Sequence, residues 1–298
     1  MPAVDATVIA TYSRRMRLRT ADGSEVDARI KGKKLRPVCG DHVEAASLPD
    51  EPDWIITAIQ PRRNALDRPN SRGQTEVLAA NIDLLVVVAA ATPKPDWFIV
   101  DRYLCAAELM PAKAAVVFNK TDLAEPDDSA ILDVYRKLGY ATFATSAIDG
   151  SGIDSLAQLL RQQTALIVGQ SGVGKSSIIN YLSDISKQKT GSVSDKSGEG
   201  KHTTVNSAML PLRGGGHIID SPGVRDYAPA LNSQQDAANG YREVRAAAEH
   251  CRFANCKHLR EPGCAVKAAV ENGEIDERRY ESYRRTVFLA ERLSVKRY

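Results

Sequence analysis

The chain has 298 residues, 43% of them hydrophobic, and 40 Lys and Arg against 37 Asp and Glu give a net charge of +3. That length exceeds one typical domain, so two or three are expected, and the apolar share is enough to bury real cores. No run reaches the ~18 apolar residues of a membrane span, the opening MPAVDATVIATYSRR lacks the order of a signal peptide, and the slight charge cannot by itself argue for nucleic acid. The chain therefore reads as soluble and cytoplasmic, and a monomer is the expectation for its assembly.

Residues 1–68 carry short alternating runs. Asp5–Ser13, Arg15–Thr20, Glu25–Ile30, Asp41–Ala46 and Trp54–Gln60 are strand candidates, with Asp22-Gly23 as a hairpin signal. Five short strands in so small a unit predict an OB-like β-barrel, an architecture used for oligonucleotides. Arg14, Arg15, Arg17 and Arg19, then Lys31, Lys33, Lys34 and Arg36, make it distinctly basic. Such a stripe suits phosphate contacts, and a merely solvated charged face remains open. Leu66–Gln74 reads as a linker.

The next unit, 75–232, alternates strands with helices. Asp83–Ala90 (DLLVVVAA) is a continuous apolar strand of the kind buried in a parallel sheet. A helix over Asp96–Met110 follows, then a strand over Lys113–Phe118 that runs into Asn119, Lys120, Thr121 and Asp122. NKTD at a strand's carboxyl end is a guanine reader, because its Asp can accept from guanine N1 and the exocyclic amine. After a helix over Ser129–Leu138 and the run Tyr140–Thr145, Ser146 and Ala147 stand where a second loop backs the base.

A helix over Ile153–Arg161 and a strand over Thr164–Val168 lead into Gly169, Gln170, Ser171, Gly172, Val173, Gly174, Lys175, Ser176 and Ser177. GxxxxGKS surrounds phosphates with backbone N–H groups at a helix start, while Lys175 reaches the β/γ oxygens and Ser176 meets Mg2+. The helix continues to Leu182. The polar, Gly-rich segment Thr190–Thr204 fits a switch loop closed by the γ-phosphate, with Thr203 or Thr204 reaching Mg2+, and an ordinary surface loop is the alternative. Gly216–Asp220 is a strand that ends in DSPG, where Asp220 would hold Mg2+ and the Gly223 N–H would meet the γ-phosphate.

The order matters more than any one motif. The guanine-reading NKTD precedes the phosphate loop, the reverse of an ordinary GTP-binding domain, so the chain is a circularly permuted GTPase.

Residues 233–298 hold Cys251, Cys256, His258 and Cys264 in the spacing CxxxxCxHxxxxxC. Three thiolates and an imidazole form a closed tetrahedral set for structural zinc, with a disulfide pair as the alternative. Cys39 and Cys105 stand alone in apolar surroundings and read as ordinary core or near-surface residues. Asp276–Arg297 is a helix in which Arg278, Arg279, Arg284, Arg285, Arg292, Lys296 and Arg297 alternate with Tyr280 and Tyr283. It can grip RNA or simply present a charged outer face.

Taken together, NKTD, SA, GQSGVGKSS, GKHTT and DSPGVRDY, followed by CRFANCKHLREPGC, resemble the ribosome small-subunit-dependent GTPase A family (RsgA, also called YjeQ). The resemblance covers the GTPase and zinc segments closely and the basic barrel in kind. It implies three units in an α/β multidomain chain: an OB-fold RNA-binding domain (1–68), a permuted GTPase domain (75–232), and a mainly helical zinc domain (233–298). It further implies a GTPase that acts late in assembly of the small ribosomal subunit, binds its rRNA and is stimulated by it. GTP or GDP, Mg2+ and Zn2+ are the implied cofactors. This chain departs from the family in reading DSPG where DTPG is expected.

One absence shapes the mechanism. Val224 follows DSPG where many GTPases place the Gln that orients the attacking water, so intrinsic turnover should be slow. His202, beside Thr203, is the candidate to position that water once a partner closes the switch. A nucleotide-sensing RNA-binding module remains the second reading, and a metabolic kinase a distant third.

Overall fold

The computed structural model describes residues 3–13, 15–32, 34–48, 51–69, 74–125, 128–183, 205–221, 229, 231 and 234–295. The first five strands are β1 (Val4–Tyr12), β2 (Met16–Thr20), β3 (Glu25–Ile30), β4 (His42–Ala46) and β5 (Trp54–Ile59), close to the runs predicted from alternation. Their order β1-β2-β3-β5-β4 returns to β1 through a β1–β4 ladder. The barrel is therefore closed. It encloses Val8, Leu18, Ala28, Val43, Ala45 and Ile56, all fully buried, because alternate side chains of each strand point inward.

The segment read as a linker begins in a strand and leads to another. β6 (Ala65–Pro69) and β7 (Thr75–Ala80) pair as an antiparallel ribbon. Its polar turn composition had masked strand alternation on either side. Two buried asparagines fasten it. Asn64 Nδ2 donates to the carbonyls of Ile82 and Pro111, and Asn81 Nδ2 donates to Gly40 O.

The nucleotide-binding half is built on β8 (Leu84–Ala90), β9 (Lys113–Asn119), β10 (Ala141–Ala144), β11 (Thr164–Gly169), β12 (Val205–Pro211) and β13 (His217–Asp220). The order is β10-β9-β8-β11-β13-β12, parallel except for β12. Parallel register brings the carboxyl ends of β9, β10, β11 and β13 to one edge. Residues of β8 alternate between the faces. Leu85, Val87 and Ala89 pack beneath α1 (Trp97–Leu109) and α2 (Leu132–Lys137), while Val86 and Val88 pack beneath α3 (Ile153–Leu159) and α4 (Lys175–Leu182). Burial on both faces is why β8 is apolar throughout.

Strand β12, which sequence patterning did not reveal, also pairs with β1 (Ala10↔Ala208, Thr11↔Ser207). The barrel and the parallel sheet thus form one hydrogen-bonded sheet of eleven strands. Beyond it lie α5 (Gln234–Asn239), α6 (Arg242–Ala248), α7 (Ala265–Glu271) and α8 (Glu277–Val295), with their own core of Tyr241, Val244, Val266, Tyr283 and Val287 against Cys105 of α1. No helix among the described residues is long and apolar enough to cross a membrane.

Candidate functional site

The phosphate loop connects β11 to α4. Gly169 has φ +139°, and a Cβ there would lie 2.1 Å from Val88 O, so the strand can turn here only as glycine. Gly174 caps α4 in a left-handed conformation with no side-chain bond to the first turn. The leading N–H groups of the helix therefore face outward with no side-chain cap, the arrangement that receives anions. Ser176 and Ser177 are exposed in that first turn, and Lys175 Nζ donates to Gly169 O at 2.8 Å and Gln170 O at 2.6 Å. These groups fit a phosphate chain.

NKTD lies beside this loop. Asn119 is buried and spends its amide on the protein: Nδ2 donates to Val173 O at 2.9 Å, and Oδ1 accepts from Thr145 Oγ1 at 3.1 Å. Asn119 thus ties the base loop to the phosphate loop from beneath, with the second hydrogen of its amide still to spend. Lys120 adopts φ 60°, which lays its stem toward Gly174 and starts a 3-10 turn at Thr121. Thr121 N–H donates to Thr145 O, and Asp122 is exposed with its carboxylate available. Ser146 is buried, held by backbone bonds to Gly150 and Ser151, and Ala147 is half-buried. Gly152 is forced by Ala144 O, 2.1 Å from where its Cβ would be. Thr145 was not anticipated, though a Thr directly before the SA pair was its only signal.

Asp220 ends β13, half-buried. Burial raises its carboxyl above the usual range, and the nearby Lys175 ammonium opposes that rise. Ser221, which follows it, is buried and accepts a hydrogen bond from Ser207 Oγ at 3.0 Å. His202, Thr203, Thr204, Gly223 and Val224 lie outside the described residues. The structure thus gathers residues 119–122, 146–147, 169–177 and Asp220 at one sheet edge.

The metal-binding candidates converge as well. One donor atom from each of Cys251, Cys256, His258 and Cys264 lies within 4.8 Å of the others. Cys251 Sγ is 3.4 Å from His258 Nδ1 and 4.0 Å from Cys264 Sγ, and Cys264 Sγ is 3.6 Å from that Nδ1. Edges of about 3.8 Å between sulfurs and about 3.5 Å from sulfur to nitrogen follow from tetrahedral zinc bond lengths, so the set fits that ion. Burial pushes the Cys256 thiol up to about 12 and raises Cys264 also, so a metal would have to displace those protons. Among the described residues the cysteines are all free, against the disulfide alternative.

Second partners hold the loop in place. Tyr280 and Tyr283 of α8 donate their hydroxyls to His258 O at 2.6 Å and Lys257 O at 2.8 Å. Glu261 accepts from the N–H groups of Lys257, Leu259 and Arg260. Partial burial works against its charge, but those donors hold its carboxyl at about 2.

The two basic stripes are partly engaged within the protein. Arg279 is buried in ion pairs with Asp101 and Glu243, Arg278 pairs with Asp101, and both tyrosines serve the metal loop. That side of α8 is an internal joint, while Arg284 and Arg285 are exposed and pair with Glu281. In the barrel, Arg15, Arg17, Arg19 and Arg29 pair with Asp53, Asp27, Glu25 and Glu51. Lys31, Lys34 and Arg36 are exposed and make no ion pair among the described residues. Arg14, Lys33, Lys296 and Arg297 lie outside them.

Known proteins share this arrangement. The family model described as RsgA GTPase matches residues 59–229. A protein of Histophilus somni (strain 129Pt) named small ribosomal subunit biogenesis GTPase RsgA is 38% identical over 290 residues, 95% of this chain and 83% of its own. One of the same name from Chromohalobacter salexigens is 40% identical over 253 residues, 84% of this chain and 74% of its own. Among solved structures, YjeQ from Thermotoga maritima superposes with a TM-score of 0.73 at 28% identity, covering 97% of this chain and 98% of that one. YloQ, titled a circularly permuted GTPase, does so with 0.70 at 25%, covering 97% and 95%. Motif order, sheet topology and these likenesses agree, and the chain belongs to the RsgA GTPase family.

Proposed function

We propose that this GTPase acts in late maturation of the small (30S) ribosomal subunit, binding its rRNA and hydrolysing GTP to GDP and phosphate in the cytoplasm, as a monomer. The observation that carries the reading is the convergence of Asp122, the phosphate loop and Asp220 on one sheet edge that continues directly into a closed OB-type barrel. The relatives' printed name supports the subunit as partner. The units are taken as a barrel over 1–68, a GTPase domain over 75–232 and a zinc domain over 233–298.

In this scheme Asp122 selects guanine, Lys120 flanks it, and Ser146 and Ala147 back the base. Asn119 holds the base loop against Val173 of the phosphate loop. Lys175 leaves the carbonyls of Gly169 and Gln170 for the phosphates, whose charge outweighs two neutral acceptors. Mg2+, held by Ser176, Asp220 and Thr203, would neutralise charge on the β- and γ-phosphates. His202 would position the attacking water when the subunit closes the switch. Cys251, Cys256, His258 and Cys264 would hold a structural Zn2+. Lys31, Lys34 and Arg36, exposed and without an ion pair among the described residues, are the barrel cations best placed for rRNA phosphates.

GTP then acts as a grip signal and GDP as a release signal. Co-sedimentation with small subunits tests this: at least about tenfold tighter binding with a non-hydrolysable GTP analogue than with GDP is expected, and equal affinity would refute it. The RNA-module alternative predicts that Lys175→Ala keeps cellular function, whereas this account predicts its loss.

A further inference from the structure

Strand β13 is only four residues long, His217–Asp220, and both its ends are tied to the barrel side of the sheet. At its start, Arg19 Nη1 of β2 donates to His217 Nε2 at 2.9 Å, while Nη2 of the same guanidinium holds Glu25 of β3. At its end, Ser221 Oγ accepts from Ser207 Oγ of β12, with both serines less than one-tenth exposed. Ser207 in turn stands opposite Thr11 of β1 in the β1–β12 ladder. The intervening ladder pairs Ala208 with Asp220 itself. A hydroxyl contact in a buried setting fixes a rotamer and a loop start with little give, since an unpaired partner there is costly.

We propose that Ser207 and Arg19 are positioning residues for GTP hydrolysis, clamping β13 so that the barrel sets where Asp220 stands. Neither residue belongs to the phosphate loop or the guanine-reading loop. They act through Ser221 and His217, and they give the barrel a direct hold on the phosphate side of the site, separate from the guanine side. The serine that replaces the expected threonine in DSPG thereby acquires a role, as acceptor for Ser207. The inference rests on the assignment of Asp220 to the phosphate side.

Ser207→Thr and Ser207→Val have the same shape and differ in the hydroxyl, and both suit a strand. With purified full-length chain and GTP, Ser207→Val is expected to lower kcat about fivefold with KM within about twofold, the size of one lost buried hydrogen bond felt only in the reacting state. Ser207→Thr should keep the original kcat. Arg19→Met should also lower kcat, again without moving KM, and thermal unfolding of each variant checks that it folds. Asp220→Asn should abolish turnover. Equal kcat for the Val and Thr variants, or an unchanged kcat in Arg19→Met, would overturn the clamp even with Asp220→Asn inactive. A fully active Asp220→Asn would overturn the assignment of Asp220, and the clamp with it.

Discussion

Arg279 donates through Nη1 to Asp101 Oδ1 at 2.6 Å in a fully buried ion pair that joins α1 of the nucleotide-binding sheet to α8 of the zinc module. Glu243 of α6 takes the other edge of the guanidinium at 2.7 and 3.1 Å, and Arg278, the Tyr135 hydroxyl and Ser282 also bond to Asp101. Helix α1 begins at Asp96, whose N–H donates to Gln170 Oε1 of the phosphate loop. A short chain of contacts therefore leads from the phosphate loop to α8.

Breaking a buried pair leaves an uncompensated charge. Arg279→Ala should destabilise the chain by about 3 to 5 kcal/mol in denaturant unfolding, against under ~1 kcal/mol for the exposed Arg285→Ala. Burial opposes ionisation of Asp101, but Arg279 and Arg278 overcome it and hold its carboxyl below the usual range. With the folded value depressed, its stabilisation is present above the unfolded pKa and is lost as pH falls through the folded one. Acid unfolding of wild type should accordingly be steeper than that of Asp101→Asn.

Gly174 allows Asn119 to reach the phosphate loop. A Cβ there would sit 2.3 Å from Asn119 Nδ2, in a backbone with φ +92°. Gly174→Ala should weaken GDP and GTP binding alike by at least about tenfold, since strain and the lost Asn119–Val173 bond each cost on the order of 1 kcal/mol or more. Fluorescent nucleotide titration checks this, and selective loss of one nucleotide would contradict it.

His217 should make the barrel junction sensitive to mild acid. Burial, and secondarily the neighbouring Arg19, lower its pKa below 6.5. A histidine depressed in the folded state takes up its proton more readily when unfolded, so stability is full above about 6.5 and declines as pH falls toward the folded value. Wild type should gain stability between about pH 5 and pH 7, and His217→Gln should flatten that gain. Denaturant midpoints across that range supply the comparison.

The metal loop should bind one zinc per chain. Cys256→Ser should release it and lower Tm, as should chelation, because metal affinity here is folding energy. Tyr280→Phe removes only the bond to His258 O and should cost about 1 kcal/mol while speeding zinc loss to a chelator. Elemental analysis and a colorimetric chelator measure both effects.

The nucleotide site was largely legible because its motifs are local. NKTD, the phosphate loop and the metal ligands each lie within one short segment, alternation announced the barrel, and an unbroken apolar run announced β8. What escaped depends on tertiary neighbours. Arg279 and Tyr283 have the composition of an RNA-facing stripe, yet Asp101 and the carbonyl of Lys257 draw them inward. Asp101 was a usable signal, a carboxylate directly after the apolar run Trp97–Val100 of α1, but it names no partner by itself. Strand β12 hid between glycine-rich segments, and the β6–β7 ribbon inside a polar stretch, because pairing defines both more than residue type does.

The most direct test is GTP hydrolysis by the purified chain alone, with small ribosomal subunits, and with large subunits. The account predicts slow intrinsic turnover, strong stimulation by the small subunit and none by the large. No stimulation by the small subunit, or equal stimulation by both, would contradict it.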